Sequence, residues 1–189
     1  MTDRNDKAAA ILDSARVLMM DRGYNGFSFR DIAAEVGIKS ASIHYHFATK
    51  ADLAEATARA YREAFNAALD GLKAGSTPEL LRAYGSLFVA TLQERGGLCL
   101  GGILAADAST LPDQVRAEVI AFFDAQRAWI AAVIRDGQAS MELRQDVDAD
   151  ALAATFVSSL EGSMMVARAT QRPGDLETTL NQLIHLISV

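Results

Sequence analysis

Between Val36 and Ala51 the chain places Lys39, His44, His46 and Lys50 in one short window without an acid, with Ser40, Ser42 and Tyr45 among them. Such residue types serve metal ligation, acid-base work, or contact with phosphates and bases. Metal fails on spacing: helical residues at i and i+2 point apart, and no third ligand lies near His44 and His46. Two other stretches imitate chemistry. "GLCLG", Gly97 to Gly101, has the spacing of a nucleophile elbow built on Cys99, but an elbow follows a strand and "YGSLFVATLQER" reads as helix. "DVDAD", Asp146 to Asp150, has the look of a calcium loop, yet Ala151 and Val157 replace its glycine and last glutamate, so helix capping explains it better. No convergent acid-base, nucleophile or metal group stands out, so the chain is not expected to be an enzyme or to need a cofactor.

The window sits on helices. Ile11, Ala15, Leu18 and Met19 form one face of a first helix ending at Gly23. Ser28 with Asp31 is an S-x-x-D start signal for a short second helix, whose apolar face is Phe29, Ile32, Ala33 and Val36 and which Gly37 ends. A third helix follows from Lys39 or Ser40 to Phe47, anchored by Ile43 and Phe47. Two short helices joined by a tight glycine-containing turn are the helix-turn-helix signature. Thr49 and Asp52 then open a long helix from about Lys50 to Lys73.

Farther on, Pro78 suits the first turn of a helix ended by "RGG", Arg95 to Gly97; a short helix is expected over Leu98–Ala108 and a long one from Leu111 to Gly137. "GQASMELRQDVDAD" reads as a loop, and two last helices run from about Asp148 to Thr170 and from Asp175 to the C-terminus. The expectation is an all-α protein: an N-terminal three-helix helix-turn-helix domain, residues 1–47, and a larger helical domain, residues 48–189.

In a helix-turn-helix the second helix enters the major groove with its first residues against base edges. Here Lys39 and Lys50 flank it as point charges, Ser40 and Ser42 offer hydroxyls, and Ala41, His44 and Tyr45 lie opposite Ile43 and Phe47. An ordinary solvated face would be richer in Glu and Gln. The formal net charge of -6 does not exclude nucleic acid, because residues 1–55 hold 7 Lys+Arg against 8 Asp+Glu and most of the acidity lies beyond them.

Two apolar stripes on the last helices, Leu152, Phe156, Leu160 and Met164, and Leu176, Leu180, Leu183, Ile184 and Ile187, suggest a self-paired interface, with Ala153, Ser159, Gly162 and Ser163 allowing close approach. Such a homodimer would present two reading heads to a palindromic double-stranded DNA operator with half-sites about 34–36 Å apart or a multiple of that. Cys99 among leucines and glycines reads as a small buried hydrophobe, the sharper alternative being a thiol that senses oxidants or electrophiles. With a single cysteine and no run of about 18 uncharged apolar residues, a cytoplasmic protein without a membrane span is expected.

"GFSFRDIAAEVGIKSASIHYHFATKADL" resembles the DNA-binding region of the TetR/AcrR family of bacterial transcriptional regulators, over roughly residues 8 to 53. The resemblance implies a homodimer through the last two helices and a ligand cavity among the middle ones, with ligand binding moving the fourth helix. Family base contacts would fall on Ser40, Ala41 and His44, and phosphate contacts on Ser28, Ser42, Tyr45 and Lys50. His44 stands where the family usually has tyrosine. Pocket walls are expected from Phe65, Tyr84, Phe88, Cys99, Phe122, Trp129 and Met165, suiting a small apolar or aromatic effector. The expected function is a ligand-released repressor; the alternatives are a helical protein-binding adaptor and a small helical enzyme.

Overall fold

The computed structural model describes residues 2–94 and 97–189. Among the described residues the chain forms nine helices: α1 Thr2–Arg22, α2 Phe29–Val36, α3 Ser40–His46, α4 Lys50–Gly71, α5 Thr77–Gln93, α6 Leu100–Ala106, α7 Asp113–Ala139, α8 Ala149–Thr170 and α9 Gly174–Ile187. Their ends lie where the capping chemistry puts them. The Ser28 N–H donates to Asp31 Oδ2 at 2.7 Å, and Thr49 and Asp52 cap each other, Thr49 N–H to Asp52 Oδ2 at 3.0 Å and Asp52 N–H to Thr49 Oγ1 at 3.1 Å. Ser76 caps α5 with Pro78 in its first turn, and Asp148 accepts from the Ala151 N–H at 2.7 Å at the start of α8. "DVDAD" is therefore a helix cap. The expected end of α5 in "RGG" partly lies outside the described residues, at Arg95 and Gly96; the helix itself closes at Gln93.

One stretch departs from expectation. The loop after α7 is shorter than "GQASMELRQDVDAD", since α7 continues to Ala139, and the loop is pinned by an isolated antiparallel bridge between Leu143 and Ser188. The Arg144 N–H donates to the Ile187 carbonyl at 2.8 Å, so α9 stops at Ile187 and the last residues leave the helix to pair with the loop.

The chain divides into two compact units, one of Met1–Ala64 with Leu100–Ala121, the other of Phe65–Cys99 with Phe122–Val189. Compactness thus groups α6 and the start of α7 with the N-terminal helices, a division that does not follow a boundary at residue 47. In the first unit the expected α1 stripe is the core: Ile11, Ala15, Leu18 and Met19 are buried with Ile32, Ile43 and Leu53. In the second, α5, α8 and α9 pack together around Phe88, Phe156, Leu160 and Leu176. No helix among the described residues is long and apolar enough to cross a membrane, and none of their His, Cys, Asp and Glu side chains gather in threes to hold a metal ion.

Candidate nucleic-acid interface

Gly37 ends α2 in the left-handed conformation, φ 75°, and its N–H and that of Ile38 both return to the Ala33 carbonyl at 3.0 Å. A side chain there would strain the backbone, so the tight turn depends on glycine. Lys39 then takes extended geometry and α3 begins at Ser40. Ile43 is wholly buried and fixes α3 in the core, while Phe47 is half-buried. Opposite that anchor, Ala41, Ser42, His44 and Tyr45 are exposed, with Lys39 exposed beside them and Ser40 half-buried. Tyr45, at 69% exposure, is the largest side chain on this face.

His44 is oriented. Its ring meets that of Phe29 edge-on at 4.7 Å between centroids, and Nδ1 lies 3.3 Å from the Ala48 carbonyl oxygen. Phe29 is only half-buried and supports the face from beneath. Because a carbonyl can only accept, Nδ1 is the donor in that contact. His46 is half-buried against Tyr45 and Phe47.

Two expected phosphate contacts have structural duties. The Ser28 hydroxyl donates to Asp31 Oδ2 at 2.6 Å, and this bond and the Ser28 N–H hold the Asp31 carboxyl below its usual range. Lys50 turns inward: its Nζ donates to the Phe27 carbonyl at 2.6 Å and lies 4.3 Å from the Phe27 ring centroid and 4.8 Å from that of Tyr24. Burial lowers its pKa, against the opposing pull of Asp31 and Asp107. Lys50 therefore clasps the segment between α1 and α2, and offers phosphate only the donors that the carbonyl leaves.

That segment is held from its other side by residues with no local sequence signal. Asp107 Oδ2 accepts from the Tyr24 N–H at 2.7 Å and lies 2.5 Å from where a Cβ on Gly23, φ 74°, would stand. Asn25 Nδ2 donates to Thr110 Oγ1 at 2.8 Å. Along α4, Arg59 and Arg62 each place Nε 2.9 Å from a Glu118 oxygen, and Gln114 Nε2 donates to Asp52 and Glu55. Their charge lowers the Glu118 pKa despite desolvation, which acts most strongly in the opposite direction.

In the second unit the expected aromatic walls come together. Phe65 meets Tyr84, Phe88 and Phe122 at 6.3, 6.0 and 5.3 Å, and Tyr84 stacks on Trp129 at 5.8 Å. Cys99 is buried, its N–H directed at Met164 Sδ at 3.1 Å. Two expectations are corrected here. Met165 points outward and Met164 inward, because α8 buries the Phe156–Leu160–Met164 line. Of the proposed dimer stripes, Phe156, Leu160, Met164, Leu176, Leu180, Ile184 and Ile187 are buried within the single chain; only Leu152 and Leu183 are half-exposed. Leu180 shows why: its methyls occupy the space that a side chain on Gly85 of α5 would need. The outward faces of α8 and α9 carry Gly162, Met165, Val166 and Leu186 instead.

A short exposed helix seated by one buried isoleucine, after a glycine-ended partner, defines a helix-turn-helix DNA-binding protein. The family model described as "Bacterial regulatory proteins, tetR family" matches residues 11–57, and the one described as "Tetracyclin repressor-like, C-terminal domain" matches residues 78–183. The chain belongs to the TetR family and is a transcriptional regulator, not an enzyme. It is 31% identical over 167 residues to the transcriptional regulator AcuR of Cereibacter sphaeroides, covering 85% of this chain and 75% of that one. To the HTH-type transcriptional repressor DhaR of a Mycobacterium species it is 25% identical over 158 residues, 82% of this chain and 79% of the other. A TetR-family regulator from Agrobacterium tumefaciens superimposes with a TM-score of 0.95 at 32% identity, over 98% of this chain and all of that one.

Proposed function

We propose that the protein is a cytoplasmic homodimeric repressor that binds a palindromic operator and leaves it when a small, largely apolar effector enters the second unit. The observation that carries the DNA-reading half is the outward face of α3, where Ala41, Ser42, His44 and Tyr45 are exposed without an acidic neighbour on the helix. Ser40, Ala41 and His44 read base edges, while Lys39, Ser42, Tyr45 and the remaining Lys50 donors meet phosphates, joined by Ser28 at the start of α2. Repression rather than activation is supported by the name of the relative DhaR. The aromatic cluster around Tyr84 and Phe88 supports an apolar effector body. Dimerisation through the exposed α8 and α9 faces would let two heads meet two half-sites.

Fluorescence anisotropy with duplex from upstream of the protein's own gene tests the reading. Salt-dependent, sequence-selective binding at two protomers per half-site pair is expected; equal affinity for scrambled duplex contradicts it.

A further inference from the structure

Buried polar atoms in folded proteins have partners almost without exception, and buried charges are paired. Two polar atoms near Tyr84 break that rule: Gln126 Nε2 and Glu161 Oε1 are buried with no hydrogen-bond partner among the described residues. Gln126 is fully buried, and its Oε1 is taken by the Tyr84 hydroxyl at 2.6 Å. Glu161, 9% exposed, has the Cys99 thiol as its hydrogen-bonding neighbour. Tyr84 feels both Glu161 and Cys99, so the four side chains form one cluster. Around it stand aromatic rings, with Trp129, Phe88 and Phe156 each within 6.4 Å of Tyr84 between centroids.

We infer that Gln126 and Glu161 form the head-group site of the effector, and that the effector is an organic ammonium ion bearing an oxygen acceptor beside the charge. This rests on the effector-binding reading above and adds the ligand's chemical class. A buried carboxylate with no cationic partner among the described residues, within electrostatic reach of the Tyr84 ring, attracts a cation. The Gln126 N–H requires an acceptor, which the ligand's oxygen supplies. A carboxylate ligand would meet Glu161 as a like charge, and a neutral alcohol would leave that charge uncompensated.

A proton competes with the cation for this carboxylate, since burial raises Glu161 to about 7. Among the described residues the titratable groups facing it are Tyr84 of α5, held well above its usual pKa by burial, and Cys99; α7 contributes neutral Gln126, and α9 turns only apolar side chains inward.

Calorimetry on the DNA-free protein tests this with three ligands sharing one body: 2-phenoxyethylamine, 2-phenoxyethanol and phenoxyacetate. The amine is expected to bind best, about tenfold more tightly at pH 8 than at pH 6 as Glu161 ionises, releasing protons at the lower pH. Glu161→Gln, a neutral isostere that keeps the shape, should weaken the amine more than tenfold and tighten the alcohol at pH 8. Phenoxyacetate binding as tightly as the amine at pH 8, full amine affinity in Glu161→Gln, or no binding by any of the three overturns the proposal, the last leaving a trapped water as the partner. DNA release is scored separately by anisotropy, so a regulator released by a different ligand class remains distinguishable from a protein that does not bind DNA.

Discussion

His44 and Lys50 occupy neighbouring positions in the DNA-facing window and have opposite situations. His44 is exposed but held by Phe29 and the Ala48 carbonyl, so under the proposed role a base would meet a ring already oriented. His44→Ala should change the preferred base at one position per half-site; an unchanged preference across operator variants would remove the residue from base reading. Lys50 is partly spent on Phe27, so Lys50→Ala should cost about 1–2 kcal/mol of stability in addition to weakening DNA binding at all sequences. Denaturant unfolding checks the first effect and the salt slope the second. Glu161 gives a pH signature of its own. Its pKa rises from 4.5 to about 7 on folding, so between those values the folded state holds more protons and stability falls as pH rises. Glu161→Gln should remove that fall and leave the variant more stable than the parent above pH 7, by up to about 3 kcal/mol. Parallel melting curves from pH 5 to 8 would contradict the assignment.

At the scale of elements, the segment Gly23–Ser28 is held between Lys50 at the start of α4 and Asp107 just past α6. Any shift of α6 is therefore felt at the entry to α2. Asp107→Ala should cost about 1–3 kcal/mol by orphaning the Tyr24 N–H, and Gly23→Ala a similar amount through its positive φ and its collision with Asp107. Both should weaken DNA binding, measured on protein shown to be folded. The helices themselves were legible because their signals are local: Ser28 with Asp31, Thr49 with Asp52, Pro78, Asp148, and Gly37 after α2. Asp107 was not, since its partner Tyr24 is 83 residues away and nothing near either marks the pair. The inward turn of Lys50 likewise depends on where the Phe27 carbonyl ends up in three dimensions. Glu161 and Gln126 did leave a trace, as polar residues in the apolar register beside Leu160 and Phe122, but their shared place with Tyr84 is a property of the fold.

For the whole molecule, an apolar stripe announces burial without naming what covers it. The spacing of Leu160, Leu180 and Ile184 suggests a second copy, but they face the chain's own core. Leu160→Ala should accordingly destabilise the protomer by about 2–5 kcal/mol. A charge on the outward face, Val166→Glu, should instead leave the protomer folded and split the proposed dimer in sedimentation, with loss of operator affinity. The proposed pairing surface and the two α3 faces share one requirement, that the DNA carry two copies of one half-site. Selection of random duplex DNA by the purified full-length protein, followed by sequencing, tests that most directly. An enriched inverted repeat, with half-site centres about one helical turn or a multiple apart and a preference altered by His44→Ala, is the predicted result. No enriched motif, or a single unpaired half-site, would contradict it.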